Sequence, residues 1–219
     1  MEKEIVSIGS ALESPKRPFV AVVGGAKVSS KLDVLNNLTE RVDQLLIGGG
    51  MANTFLRAQG REVGRSLLEA ELVDTARALL GPKVLLPVDV VVTTDLKDPG
   101  AASRECGLDQ VKPDEMIVDI GRRTMDDFGA EIARAGTVLW NGPMGVFEDS
   151  RFAAGTLAIA KAMADSNATT IVGGGESVQA VEQADLADKL THVSTGGGAS
   201  LEFIEGKVLP GVAALKSDC

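Results

Sequence analysis

The sequence contains no tyrosine, one tryptophan and one histidine, and aromatic residues make up only 3% of it. A nucleic-acid partner calls for a basic surface and stacking rings. Scarce rings and a net charge of −9 argue against that class. Two cysteines, Cys106 and Cys219, cannot make a disulfide framework, and no Cys/His spacing suits zinc. A reducing, cytoplasmic setting is therefore expected. The opening stretch MEKEIVSIGSALESPK is charged at once and lacks the apolar centre of a secretion signal. No apolar run approaches the ~18 residues that a membrane span needs. Missing too are the P-loop pattern G-x-x-x-x-G-K-[ST] and the dinucleotide pattern G-x-G-x-x-G after the first strand. The second strand ends in Gly48–Gly50, where a dehydrogenase would carry an acidic residue for the ribose, so a nicotinamide-binding role is a poor reading.

What is present is an ordinary globular composition, 44% hydrophobic and 24% charged over 219 residues, enough to bury a proper core. Apolar, β-branched runs recur at 19–23, 44–48, 84–92, 115–120, 137–140, 169–172 and 191–195. Most are continuous rather than alternating, as expected of strands covered on both faces. Helix-period segments lie between them at roughly 29–41, 51–59, 69–80, 124–135, 152–165 and 177–188. This alternation predicts a doubly wound, Rossmann-like α/β sandwich of three layers, with a mainly parallel sheet of about six strands. The polar stretch 93–113 reads as an excursion within one domain. Ahead of the first strand, Ile5, Ile8 and Leu12 share one helical stripe that ends at the prolines of SPKRP. With nothing before it to pack against, that helix suggests something upstream, and its stripe is expected to be exposed.

Four glycine clusters punctuate the chain: Gly24–Gly25, Gly48–Gly50, Gly173–Gly175 and Gly196–Gly198. All are expected at the carboxyl ends of strands, where ligands of open α/β sheets bind. Bare backbone ahead of a helix N-terminus suits phosphate, although any one such turn can equally be structural. In GGAKVSSK, Lys27 and Lys31 read either as solvated lysines or, beside the turn, as clamps on phosphate oxygens. LWNGPMGVFED can be a simple turn stiffened by Pro143. Its functional reading gives Asn141 an amide donor for a phosphate, Val146 an apolar wall for a base and Glu148 a carboxylate for ribose hydroxyls. Ser200 stands near the helix start after the last cluster. His192, in an expected strand, reads as structural rather than catalytic.

Six blocks, FVAVVGGAKVSSKLDVL, LIGGGMANTFL, LLPVDVVV, TVLWNGPMGVFE, TIVGGGES and HVSTGGGASLEFIEGKVLPGV, together resemble the C-terminal half of phosphoglycerate kinases. The resemblance runs over residues 1–216 with the blocks in the family's order. It implies a nucleotide-binding α/β domain at 15–219 preceded by an interdomain helix at 1–14, with the family's N-terminal, phosphoglycerate-binding domain absent. It implies phosphoryl transfer between 1,3-bisphosphoglycerate and ADP, with Mg²⁺ and ADP or ATP bound here and negligible turnover by this half alone, in a monomer. A docking module that complements a separate N-terminal half is the alternative.

By the same resemblance, Gly25, Ala26, Gly49, Gly50 and Val146 surround the adenine, and Glu148 takes the ribose. Lys31, Asn141 and the turn Gly174, Gly175, Glu176 and Ser177 hold the phosphates, with Gly121 and Pro143 completing the nucleotide set. Glu176 holds the metal. Lys27, Lys31 and the amides of Gly196, Gly197 and Gly198 serve the phosphoryl group in flight. Two departures stand out. The family's GGGD metal turn reads GGGE, and DIGRRT carries Arg122 where many members have proline, with little consequence expected beyond the local turn.

Overall fold

The computed structural model describes residues 9, 12–194, 204 and 206. Expectations for Ile5, Ile8, Gly196–Gly198, Ser200 and Cys219 therefore lie outside the described residues. The strands are β1 (Phe19–Val23), β2 (Gln44–Ile47), β3 (Val84–Leu85), β4 (Asp89–Thr93), β5 (Ser103–Gly107), β6 (Met116–Ile120), β7 (Thr137–Asn141), β8 (Thr169–Gly173) and β9 (His192–Val193). The α-helices are α1 (Leu32–Arg41), α2 (Ala52–Ala58), α3 (Val73–Leu79), α4 (Arg122–Arg134), α5 (Ala154–Asp165) and α6 (Gly175–Gln183).

Six strands form one sheet in the order β3-β2-β1-β7-β8-β9, and every pair in it is parallel. Continuous apolar runs follow from this arrangement. Phe19, Ala21 and Val23 of β1 pack on one face with Leu35, Phe55 and Leu139, while Val20 and Val22 pack on the other with Trp140, Phe128 and Ile159. The two faces make the expected three-layer sandwich. The chain leaves β1 towards β2 and β3, then returns to β7 on β1's other side, which opens a crevice between the ends of β1 and β7.

Three expectations need correction. The run 84–92 is not one strand: β3 belongs to the main sheet and β4 to a separate antiparallel sheet ordered β5-β4-β6. Buried Pro87 sits between them, and a residue without an N–H cannot continue a ladder. The run 115–120 supplies β6 of that small sheet rather than a strand of the main one. The excursion 93–113 thus contains β5 and folds back across one side of the crevice. Leu12, expected on an exposed stripe, is 5% exposed and packs in the core with Phe19 and Leu38, which removes the support for a docking stripe at that residue.

Arg122 also has a local consequence. It opens α4, a position proline tolerates, but its amide N–H donates to Glu105 Oε1 at 3.0 Å, a bond proline could not make. The same helix start is capped from another strand. Asp89, 2% exposed, accepts from the Thr124 amide (2.8 Å), the Thr124 hydroxyl (2.6 Å) and the Arg123 amide (3.0 Å). Burial alone would raise the Asp89 pKa, but these hydrogen bonds outweigh it and hold the carboxyl below its usual value. A depressed carboxyl stabilises the fold above the unfolded pKa and loses that contribution as pH falls through the folded one. Asp89→Ala should therefore lower unfolding free energy by about 2–3 kcal/mol at pH 7. Urea titrations at a series of pH values should show the gap from wild type narrowing below about pH 4.

Candidate functional site: a cleft at the ends of β1, β2, β7 and β8

Three turns stack through backbone hydrogen bonds to form the cleft floor. The Gly24 amide donates to Asn141 O (3.0 Å), Gly25 to Pro143 O (2.9 Å), Gly49 to Met144 O (3.0 Å) and Met51 to Gly25 O (2.9 Å). Glycine at 49 is required twice over. Its φ is +68°, and a Cβ there would lie 2.6 Å from the Gly25 nitrogen. Trp140, fully buried, steadies the same region by donating from Nε1 to Gly142 O at 2.7 Å. Above the floor opens a cleft of about 300 Å³.

Gly25, Ala26, Gly49, Gly50, Pro143, Val146, Glu148 and Glu176 all line this cleft. Sequence reasoning had named each of them. The opposite wall it had missed: Leu56 of α2, Leu67 of the following loop, and β6 with its neighbours. The loop is held against β6 by Arg65 N to Glu115 O (2.7 Å) and by Ile117 N to Ser66 Oγ (2.8 Å). These contacts join segments about 50 residues apart and have no local sequence signal. Glu69, likewise missed, accepts from the Ser29 amide (3.1 Å) and the Ser29 hydroxyl, clasping the loop that carries Lys27. Lys27 itself is exposed on that loop.

Beneath the cleft, Lys31 is half-buried at the end of the 3-10 helix Ser29–Lys31 that precedes α1, rather than within the helix proper. Its Nζ donates to Gly24 O (2.8 Å), Asn141 O (3.0 Å) and Asn141 Oδ1 (2.6 Å). All three acceptors are neutral. Burial lowers the ammonium pKa to about 8, opposed only in part by Glu176 acting through space. Asn141 Nδ2 is buried with no hydrogen-bond partner among the described residues. It faces Gly174, whose φ of +88° turns the chain into α6 and whose Cβ would stand 3.1 Å from that nitrogen. Glu176 and Gly175 are exposed in the first turn of α6. Ser177 is fully buried and its Oγ accepts from the Gly142 amide at 2.6 Å, so the hydroxyl ties two turns together instead of facing the cleft.

An ammonium held by neutral oxygens alone, an orphan amide donor and a helix N-terminus thus meet at one edge of the sheet, a set whose chemistry suits an anion. Gly121 is not brought there. A Cβ at 121 would overlap the Asp89 carboxyl that caps α4, so the glycine serves that packing, and it does not line the cleft. His192 lies in β9, which pairs with β8 as the expected strand there. Asp119 lines the cleft from β6 and is 2% exposed. Burial pushes its carboxyl up to about 7, against amides donated by Gly155 (2.8 Å) and Ile120 (2.9 Å).

Fold and site together define a doubly wound α/β protein with a glycine-floored cleft at the topological switch point of its sheet. The family model described as phosphoglycerate kinase matches residues 1–207. The chain belongs to the phosphoglycerate kinase family. It is 54% identical over 221 residues to a phosphoglycerate kinase of Herpetosiphon aurantiacus, covering 98% of this chain and 56% of that protein. It is 56% identical over 225 residues to one of Chloroflexus aurantiacus, covering 99% and 56%. The structure of phosphoglycerate kinase from Coxiella burnetii superposes with a TM-score of 0.92 at 46% identity, over 97% of this chain and 56% of that one. The enzyme from Pyrococcus horikoshii gives 0.84 at 37% identity, over 99% and 56%. The chain spans about half the length of these relatives. No helix among the described residues is long and apolar enough to cross a membrane.

The Lys31 environment has a measurable signature. Its folded pKa lies below the unfolded value, so between about pH 8 and 10.5 the unfolded chain holds a proton that the folded one has shed. Stability then rises with pH across that window. Urea unfolding of wild type and Lys31→Met at pH 7.5 to 10 should show wild type gaining on the variant as pH rises. Parallel curves would mean that the ammonium is ordinarily solvated.

Proposed function

We propose that the cleft binds ADP or ATP with Mg²⁺ and that the chain is the nucleotide-binding half of a phosphoglycerate kinase. That enzyme moves a phosphoryl group reversibly between 1,3-bisphosphoglycerate and ADP, giving 3-phosphoglycerate and ATP. In this reading residues 1–14 are an interdomain segment and residues 15–219 the nucleotide domain. The phosphoglycerate is met through a second domain that these residues do not supply, so turnover by this chain alone is negligible. A cytoplasmic, monomeric state without nucleic-acid or membrane partners goes with it, in keeping with the net charge of −9.

The observation that carries the reading is the half-buried Lys31 ammonium on neutral oxygens beside Asn141 Nδ2, which has no hydrogen-bond partner among the described residues. Nucleotide phosphates would supply the negative charge and the acceptor that the pair lacks. In the proposed pose the base lies between the Gly25–Ala26 and Gly49–Gly50 turns and Val146, with Pro143 beside it, and Glu148 takes the ribose hydroxyls. Lys31, Asn141 Nδ2 and the amides of Gly174–Ser177 receive the phosphates. Ser177 contributes its backbone while its hydroxyl keeps the Asn141–Gly142 turn in place. Lys27, exposed at the mouth, and Gly196–Gly198 would meet the transferring group.

Phosphoryl transfer asks the protein for alignment and charge neutralisation rather than covalent help. The ADP phosphate and the phosphoglycerate carboxylate are already deprotonated, so no general base is needed. Among the described residues no three His, Cys, Asp or Glu side chains cluster as a metal site. The single exposed carboxylate of Glu176 still fits Mg²⁺, which takes one or two carboxylates together with phosphate oxygens. When bound, the ion supplies further neutralisation of the phosphates.

Calorimetric titration of the chain with ADP should give saturable binding that strengthens with Mg²⁺; no detectable heat at millimolar nucleotide overturns the proposal. Glu176 carries one methylene more than the family's aspartate and adds a rotor to be fixed, which weakens its hold on an ion strict about its octahedron. Glu176→Asp should therefore increase the Mg²⁺ enhancement of ADP affinity several-fold. An unchanged enhancement would remove position 176 from the metal site.

A further inference from the structure

The turn that carries Lys27 and Lys31 has no cap of its own. Ser29–Lys31 is a single turn of 3-10 helix that starts at Val28 without a side-chain cap and without an acidic residue in its first turn. The opening amides of such a turn find no partner within it. Glu69, 40 residues along the chain, supplies one: its Oε2 accepts from the Ser29 amide at 3.1 Å and its Oε1 from the Ser29 hydroxyl. Burial alone would raise the Glu69 pKa. The hydrogen bonds from Ser29 and from the Val28 amide, with the Lys27 charge nearby, outweigh it and hold the carboxyl below its usual value. The carboxylate is itself placed from behind, since the Glu69 amide donates to Thr54 Oγ1 at 3.3 Å and Thr54 is buried in α2.

The two lysines depend on this clasp unequally. Lys31 ends the turn, and its Nζ is already fixed by Gly24 O, Asn141 O and Asn141 Oδ1. Lys27 stands exposed ahead of the turn, between Ala26, which lies against Gly50, and the fully buried Val28. Ser30 Oγ donates to Lys27 O at 2.8 Å and tightens the turn locally, whereas Glu69 ties it to a distant element. We propose that Glu69 is a positioning residue for phosphoryl transfer: it caps the turn from the loop between α2 and α3 and so holds Lys27 towards the phosphoryl group in flight. The inference rests on the nucleotide reading of the cleft and on Lys27 meeting that group. A side chain whose backbone is held beforehand costs less to order when the ligand arrives. The terminal phosphate, present in ATP and absent from ADP, is where that saving registers.

The test is calorimetric titration of the full 219-residue chain with the Mg²⁺ complexes of ATP and ADP. Glu69→Ala should weaken ATP binding about 5-fold and ADP binding by less than about 2-fold. Glu69→Gln should recover most of the loss, because its amide oxygen accepts from the Ser29 N–H while its NH₂ donates to the hydroxyl. In a Lys27→Met background, Glu69→Ala should leave the ATP-to-ADP ratio unchanged, the signature of a residue that acts through Lys27. Hydrogen exchange reads the clasp without any ligand: the Ser29 amide should exchange about 10-fold faster in Glu69→Ala. Should Glu69→Ala not fold, Ser29→Ala, which removes the hydroxyl half of the clasp, should show the same preferential loss of ATP at about 2-fold. Equal losses of ATP and ADP, an undiminished effect in Lys27→Met, a Gln variant that behaves like Ala, or unchanged exchange at Ser29 overturns the proposal and leaves the nucleotide cleft standing. No binding of either nucleotide by wild type overturns both.

Discussion

The Gly25 amide on the carbonyl of Pro143, and the Gly49 amide on that of Met144, hold three turns from distant parts of the chain in one stack. The cleft depends on this contact. It forms because β1 pairs with β2 on one side and with β7 on the other, so that their carboxyl ends release their turns at one level. Backbone can meet backbone this closely only where side chains are missing, and the glycines at 24, 25, 48 and 49 provide that. The bare floor that results is open to a flat ligand, and the half-buried Lys31 ammonium under it is held by neutral oxygens.

Around that floor two walls are built in different ways. The main sheet is packed on both faces and positions Asn141 and Gly174 through strands β7 and β8. The small antiparallel sheet and the loop that carries Leu67 form the opposite wall, and the hydrogen bonds of Arg65 and Ile117 hold that loop against β6. Two buried carboxyls tie the layers together in different ways. Asp89 receives several hydrogen bonds and stays charged while it caps α4. Asp119 receives two amides in a drier place, and its pKa rises to about 7. The contrast follows from how many donors each carboxylate has to offset its loss of water.

Much of this was legible beforehand, and for identifiable reasons. Continuous apolar runs between helical periods announced a doubly wound parallel sheet, since a strand covered on both faces has no polar side. The glycine turns announced the cleft because bare backbone is itself what lets its floor close. What misled was Pro87, whose flanks look like one apolar strand when composition alone is read. Gly121 misled for a different reason. It has the same appearance as the cleft glycines, but its space is taken by Asp89, some 30 residues away in sequence.

The sequence by itself determined the strand and helix periodicity, the glycine-lined turns, the acidic surface and the kinship with phosphoglycerate kinases, because each is written in residue types at short spacing. Only the tertiary structure decided that Lys31 is half-buried against Asn141, that the Ser177 hydroxyl braces Gly142, that Asn53 Oδ1 has no partner among the described residues and that β6 walls the cleft. These depend on partners between 14 and about 110 residues apart. Burial and hydrogen-bond pairing are properties of such long-range contacts, and no local stretch of chain carries them.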